Sequence, residues 1–148
     1  MIARLVFAAL VALATALPAS ASQIEHYVFQ GYAIGGTDPV AYFTDGKPTE
    51  GSDKFTAEYD GVKWKFASAA NRDAFVADPE KYSPQYGGYC VTGMSFGEKV
   101  DTDPAQWDIV NGKLYLNNSA ASRRFFLKDK PGTISRADGN WPKIKDEP

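Results

Sequence analysis

Two pairs of short stretches in the chain alternate hydrophobic and polar residues, and a two-residue turn joins the members of each pair. The turns are Asp60-Gly61 and Asn111-Gly112. The flanking stretches are Phe55 to Tyr59 with Val62 to Phe66, and Trp107 to Val110 with Leu114 to Leu116. Asp-Gly and Asn-Gly are favoured in such turns because the turns require positive φ. The pattern therefore predicts two antiparallel β-hairpins, and the β-prone run Val40 to Phe43 predicts one more short strand.

Helix start and stop signals follow the first hairpin. Ser68 is a capping residue for a helix over Ala69 to Ala77. Asp78-Pro79 ends that helix, because a residue that precedes proline avoids the α region. Pro84 suits the first turn of a second helix, where its missing N–H costs nothing, and we expect that helix to continue through Met94.

A third helix is predicted after the second hairpin. Asn118 or Ser119 caps it, and it runs to about Lys128. Its Phe125, Phe126 and Leu127 are expected to bury, while its basic residues, Arg123, Arg124 and Lys128, face water. Residues 131–141 form a further turn or short helix. Two hairpins and about three packed helices, without long β-α-β crossovers, predict an α+β fold with a small antiparallel sheet.

The first residues of the chain predict a signal peptide over residues 1–21. Arg4 precedes an uncharged apolar run from Leu5 to Leu17, and Ala19-Ser20-Ala21 has the small-residue pattern of a cleavage site. We expect cleavage after Ala21. The mature chain, residues 22–148, then forms a single domain in the periplasm or outside the cell.

The composition of the chain excludes some classes of partner. It has 16 Lys and Arg and 18 Asp and Glu, for a formal net charge of −2, and the two signs are interspersed. A chain without a basic stripe lacks a surface for a nucleic acid backbone. We find no internal repeat in the sequence, and we expect no membrane partner once the signal peptide is removed.

Candidate chemistry depends on Cys90, the only cysteine of the chain. If the helix from Pro84 is continuous, Tyr86, Cys90 and Met94 share one helical face. A thiolate and a thioether suit Cu(I), and His26 is the one histidine that could complete a three-ligand set. The pattern predicts a candidate copper site at Cys90, Met94 and His26. The alternative is that Cys90 and Met94 fill the core and that His26 is solvated in a flexible arm.

Several short motifs follow one another in the first half of the mature chain. They are Asp38-Pro39-Val40, Gly61 to Ser68, Asn71-Arg72, Phe75, and Asp78 to Tyr82. In this order and spacing, residues 33–82 resemble the YHS domain family, and residues 83–142 are similar to the C-terminal extension of an exported bacterial branch of that family. The resemblance implies a small module that serves several systems, often ones that handle heavy metals such as copper.

The chain departs from the metal-handling members of that family at three positions. Those members tend to carry cysteine after the Asp-Pro-Val stretch and twice at the start of the helix after the hairpin. The corresponding residues are Ala41, Ala67 and Ala70. A methyl group cannot coordinate a metal, so the ligands of the resembled site are absent and any metal site has to use other residues.

These observations predict an exported binding or accessory module without catalytic residues, with copper as its first candidate ligand and a protein as another candidate partner. Two alternatives remain open. One is a thiol-redox protein that uses Cys90 with an external resolving thiol. The other is a structural or protein-docking domain in which Cys90 is buried.

Overall fold

The computed structural model describes residues 25–148. The predicted signal peptide and its cleavage site lie outside the described residues. Six strands and six helices lie wholly within them, in agreement with the predicted α+β class. The strands are β1 (Val28–Phe29), β2 (Tyr32–Ala33), β3 (Ser52–Tyr59), β4 (Val62–Phe66), β5 (Asp103–Val110) and β6 (Lys113–Asn117). The helices are α1 (Ala41–Thr44), α2 (Ala69–Ala77), α3 (Pro79–Tyr82), α4 (Val91–Ser95), α5 (Ala120–Lys128) and α6 (Lys130–Ile144).

Both predicted hairpins are confirmed. β3 pairs antiparallel with β4 across Asp60-Gly61, and β5 pairs antiparallel with β6 across Asn111-Gly112. The first turn residue has φ 51° in each hairpin, and the glycines have φ 73° and 75°. This left-handed backbone explains why these residue pairs occupy the turns. β1 and β2 form a third, two-residue hairpin that the sequence pattern did not indicate.

A serine caps the helix that follows each long hairpin, as predicted. Ser68 Oγ accepts a hydrogen bond from the N–H of Asn71 at 3.1 Å, and Ser119 Oγ accepts one from the N–H of Ser122 at 3.2 Å. Both hydroxyls satisfy an N–H group that the first helical turn leaves without an intrahelical partner. The predicted bounds of α2 and the predicted end of α5 are confirmed.

The strand predicted over residues 40–43 is wrong, because this segment forms α1. Asp38 Oδ1 accepts hydrogen bonds from the N–H groups of Val40, at 2.8 Å, and of Ala41, at 3.3 Å. These N–H groups have no acceptor within the helix itself. The carboxylate therefore stabilises a helical turn where the β-prone side chains alone favoured a strand.

The continuous helix predicted from Pro84 onward is also wrong. Pro84 has an extended ψ of 150°, and Tyr86 and Gly87 have φ of 56° and 62° within a 3-10 turn over residues 85–88. The backbone passes so close to the preceding segment that a Cβ on Gly87 would lie 1.7 Å from the carbonyl oxygen of Glu25. The α-helix begins only at Val91.

The structure shows an internal repeat that we did not find in the sequence. Each bound of β3, β4 and α2 recurs 51 residues later as the corresponding bound of β5, β6 and α5. The pairing irregularity of the first hairpin recurs in the second at the same shift. A 3-10 turn with left-handed residues precedes each copy. We call residues 34–78 unit 1 and residues 86–129 unit 2.

Two hydrophobic cores hold the units together, and β6 contributes to both. Leu114 and Leu116 belong to the core that surrounds Trp64, whereas Tyr115 belongs to the core that surrounds Met94. Successive side chains of a strand point to opposite faces, so one strand can serve two cores. This arrangement explains why β6 is buried on both faces from residue 114 to residue 117.

Candidate functional site

A fully buried carboxylate, Asp38, joins the start of α1 to the start of α2. Besides the two α1 N–H groups on Oδ1, the N–H of Ala67 and Nδ2 of Asn71 both donate to Oδ2 at 2.8 Å. Burying a carboxylate is costly unless hydrogen bonds compensate it, and hydrogen bonds to such a group are among the strong ones. We call Asp38 and its four donors the carboxylate node.

The sulfur of Cys90 occupies a closely similar position at the start of α4. Cys90 is 1% exposed. Its Sγ accepts hydrogen bonds from the N–H of Gly93 at 3.4 Å and of Asn118 at 3.2 Å, and it lies 3.8 Å from Oδ1 of Asn117, to which the thiol donates. We call Cys90 with these three partners the thiol node. The sulfur is therefore buried and hydrogen-bonded.

The thiol node is the counterpart in unit 2 of the carboxylate node in unit 1. Ala67, which donates to Asp38, corresponds at the 51-residue shift to Asn118, which donates to Cys90. The N–H of Asp38 donates to the carbonyl of Thr49, and the N–H of Cys90 donates to the carbonyl of Val100, which lies 51 residues after Thr49. Cys90 itself lies 52 residues after Asp38, so unit 2 is one residue shorter than unit 1 between these two groups. Both side chains thus accept N–H groups at the junction of a short helix with the end of a hairpin.

Asn117 adds a buried amide beside the sulfur. Its Oδ1 accepts a hydrogen bond from Oγ1 of Thr92 at 2.8 Å, while its Nδ2 is buried without a hydrogen-bond partner among the described residues. In unit 1 the amide at the node comes from Asn71, on the helix. In unit 2 it comes from the last residue of β6.

Met94 lies one helical turn beyond Cys90 and is fully buried. Its N–H donates to the carbonyl of Cys90 at 2.9 Å, and its carbonyl accepts from Nδ2 of Asn140 on α6 at 3.1 Å. The side chain belongs to the core of unit 2. Cys90 thus caps the short helix that contains Met94, although the longer helix predicted to contain both residues does not form.

His26 lies in a different environment from the one we expected. It is 7% exposed, so the expectation of a solvated histidine in a flexible arm is wrong. Its Nε2 is 2.8 Å from Oδ2 of Asp60 in the first hairpin turn, and its ring packs edge-on against Trp64 at 6.0 Å. Its Nδ1 is buried without a hydrogen-bond partner in the part of the chain that the structure describes.

Of the three residues of the predicted copper site, His26 has different contacts from the Cys90 sulfur. The contacts of His26 are with the first hairpin and with Gly87 and Tyr89, whereas those of the Cys90 sulfur are with α4 and the end of β6. Within residues 25–148, no three His, Cys, Asp or Glu side chains are grouped so that they could hold a metal ion. A copper ion at Cys90 and Met94 would therefore have to rely on the two sulfur atoms.

Residues 40–86 match the family model described as YHS domain. The chain contains a YHS domain. The match covers α1 to α3 of the structure and ends in the 3-10 turn before Cys90. No curated protein and no solved structure matches the chain. Between residues 25 and 148, no helix has both the length and the apolar character needed to span a membrane.

The YHS domain of this chain lacks side chains that fit a metal at the three family positions. Ala41 and Ala67 both donate their N–H groups to Asp38, and Ala70 precedes the fourth donor, Asn71. Two of the three family positions, Ala41 and Ala67, therefore belong to the carboxylate node, and the third is next in sequence to one of its donors. Methyl groups supply no ligand, and the two oxygens of Asp38 are already occupied by four donors, so the residues present do not fit copper here.

Sequence reasoning did not identify Asp38 or Asn117 as functional candidates. The Asp-Pro-Val motif contains Asp38, but the pattern alone does not show that the carboxylate is buried. A signal was nevertheless present. Comparing the chain with itself at a shift of 51 residues aligns Ser68-Ala69-Ala70 with Ser119-Ala120-Ala121, and it would have brought Asn118 of the thiol node opposite Ala67 of the carboxylate node.

Proposed function

We propose that this protein is a non-enzymatic binding or accessory module in which Cys90 has a structural role. The observation that carries this proposal is the thiol node. A buried sulfur that accepts two backbone N–H groups performs the same task as Asp38 in unit 1. These contacts support the alternative of a structural or protein-docking domain in which Cys90 is buried.

A thiol-redox function is less well supported by the same contacts. An exchanging thiolate has to reach a disulfide on another molecule, and access governs the rate. Cys90 is 1% exposed, and the chain contains no second cysteine to resolve a mixed disulfide. Redox chemistry at Cys90 would first require α4 and the end of β6 to separate.

Copper handling is a second candidate, favoured by the YHS domain and by the position of Met94 one helical turn from Cys90. Soft sulfur ligands select Cu(I). A bound ion would have to displace the contacts that Cys90 now makes with Gly93, Asn117 and Asn118. We therefore rank this function below a structural role for the thiol.

Thiol accessibility tests the proposal. We expect the native protein, purified with a metal chelator, to react with a maleimide only after denaturation. Val76→Cys serves as the matched control, because Val76 is 62% exposed on α2 and the added thiol should react at once. Rapid labelling of native Cys90 would contradict the proposal and favour redox chemistry.

Equilibrium dialysis against buffered Cu(I) tests the second candidate. The structural role predicts no stoichiometric copper in the parent protein. Retention of about one equivalent, abolished in Cys90→Ser and weakened in Met94→Leu, would replace the proposal with copper handling. Met94→Leu nearly conserves side-chain volume, so its effect on copper is separable from its effect on folding.

A further inference from the structure

A cluster of exposed apolar and basic residues covers one side of unit 2. Phe96, at the end of α4, is 65% exposed, and its ring lies 5.5 Å from that of Phe125, which is 40% exposed on α5. Leu127 is 43% exposed on the same helix. Arg124 and Lys128 are also exposed there. We call these five residues the basic aromatic patch.

The residues that α5 contributes to the patch lie on one side of the helix. At about 100° per residue, Leu127, Arg124, Lys128 and Phe125 fall within an arc of roughly 160°. The opposite direction belongs to Phe126, which is fully buried in the core of unit 2. The expected burial is confirmed for Phe126 but is wrong for Phe125 and Leu127, which expose apolar surface beside basic groups.

The basic groups of the patch are available for an external anion. Arg123 on α5 is held by Asp108 through two hydrogen bonds of 2.8 and 3.0 Å. By contrast, neither Arg124 nor Lys128 forms a salt bridge with any residue that the structure describes. Asp129, next in the chain, caps α6 through the N–H of Gly132.

Unit 1 provides an internal comparison, because its helix α2 has the same length and cap. At the 51-residue shift the four patch residues of α5 correspond to Asp73, Ala74, Val76 and Ala77. The anchoring phenylalanine is kept, as Phe75 and Phe126, and both are buried. The fold therefore requires the buried ring, whereas the cations and the exposed Phe125 are particular to unit 2.

We propose that the basic aromatic patch docks this protein onto an anionic lipid surface. Exposed aromatic and aliphatic side chains next to Lys and Arg suit the interface of an anionic bilayer. A second copy of the chain is a poorer occupant, because two patches would oppose cation to cation. A typical protein–protein interface buries about 800 Å² on each partner, and three apolar side chains make a small core for such an interface. Neither of the two cavities described in the structure is lined by Phe96, Phe125 or Leu127, so the patch offers no pocket for an anchoring side chain of a protein partner. This proposal departs from the sequence-based expectation of no membrane partner, because it requires peripheral contact only.

Vesicle co-sedimentation tests the inference. The chain from Ser22 onward is mixed with vesicles of phosphatidylglycerol and phosphatidylcholine, and separately with vesicles of phosphatidylcholine alone. We expect binding to the anionic vesicles that weakens with salt and little binding to the neutral ones. Arg124→Asp should lower the affinity at least about fivefold, and Phe125→Ala about tenfold. Val76→Ala, on the equivalent helix, should leave binding unchanged.

Three results would overturn the inference. They are no binding to either vesicle, equal binding to both, or a loss in Val76→Ala as large as that in Phe125→Ala. Capture by soluble poly-glutamate without vesicle binding would assign the patch to an acidic polypeptide instead. The inference rests on the proposed binding function and names its partner. Maleimide labelling of the same samples distinguishes a failure of this inference from a failure of the proposed function. If Cys90 is protected from maleimide but the protein does not bind lipid, only the lipid partner is excluded.

Discussion

Removing the carboxylate of Asp38 is the most severe single perturbation that the structure suggests. Asp38→Ala leaves the N–H groups of Val40, Ala41 and Ala67 without an acceptor, and it frees the side-chain amide of Asn71. The first two belong to the turn of α1, and the others belong to the start of α2. The substitution therefore loosens two helices at once.

The size of the effect follows from the number of donors. A buried N–H left without a partner costs about 1 to 3 kcal/mol. The N–H groups of Val40 and Ala41 are buried, so together they amount to about 2 to 6 kcal/mol, and the half-buried N–H of Ala67 adds less. The amide of Asn71 is half-buried and can turn to water, so it adds less. Domains of this size are stable by about 5 to 15 kcal/mol in total. We therefore expect Asp38→Ala to remove a large share of the free energy of unfolding.

Urea unfolding followed by tryptophan fluorescence measures this loss. Asp38→Asn retains one acceptor oxygen and the shape of the side chain, so its loss should be intermediate, at about 2 to 3 kcal/mol. This variant keeps the test informative if Asp38→Ala is too unstable to purify. Asp45→Ala, at an exposed residue after α1, is the control and should change stability by less than about 0.5 kcal/mol. The reasoning is refuted if Asp38→Ala costs less than about 1 kcal/mol.

Three further outcomes are expected. Gly87→Ala should lower the free energy of unfolding in urea by about 2 kcal/mol or more, because the added Cβ would meet the backbone of Glu25 and the φ of Gly87 is positive. Gly139→Ala, in the open interior of α6, is the control and should raise the free energy of unfolding by up to about 1 kcal/mol. Equal effects of the two substitutions would contradict the close approach of Gly87 to Glu25. Burial, and then the hydrogen bond to a neighbouring carboxylate, raise the pKa of Tyr86 above its ordinary value of 10.0. Because the pKa is raised in the folded protein, the unfolded protein loses the phenolic proton first. The contribution of Tyr86 to stability is therefore complete below about pH 10 and decreases as the pH rises from there toward the raised pKa, so the melting temperature should fall in alkaline buffer while Tyr86 of the folded protein is still protonated. Ionisation of Tyr86 in the folded protein near pH 10 would contradict this prediction. Mass spectrometry of protein exported by its host should show Ser22 as the first residue, and an intact precursor would defeat the export argument.

The parts of the fold that the sequence predicted depend on local chemistry. Asp60-Gly61 and Asn111-Gly112 specify their turns through backbone φ, and Ser68 and Ser119 specify helix starts through one hydrogen bond each. Such signals act between residues that are near in sequence, so the pattern contains them.

The parts that failed depend on contacts between distant residues. Pro84 suits a helix start, but the chain after it turns left-handed to pass Glu25, about sixty residues earlier in the sequence. The burial of His26 depends on Asp60 and Trp64 in a hairpin that no local pattern connects to it. Tertiary packing overrode the local preference in both cases.

The candidate site shows the same division. The four-residue spacing of Cys90 and Met94 indicated one helical turn between them, and the N–H of Met94 donates to the carbonyl of Cys90. The sequence around Cys90 does not determine whether its sulfur faces solvent, a ligand or N–H donors. Only the packing of α4 against the end of β6 decides this, and it brings Asn117 and Asn118 to the sulfur.

A comparison of the two units indicates where the binding chemistry of this protein should be sought. Asp38 and Cys90 differ in charge and size, yet each accepts N–H groups from corresponding places in its unit. A position that accommodates either group selects for a buried acceptor, and it places no demand on sulfur reactivity. In the helices α2 and α5, by contrast, the buried residue is the same, Phe75 and Phe126, whereas the residues on the exposed faces differ. Since a repeated fold preserves what packing requires, the differences on the exposed face of α5 are the better guide to what the second unit binds.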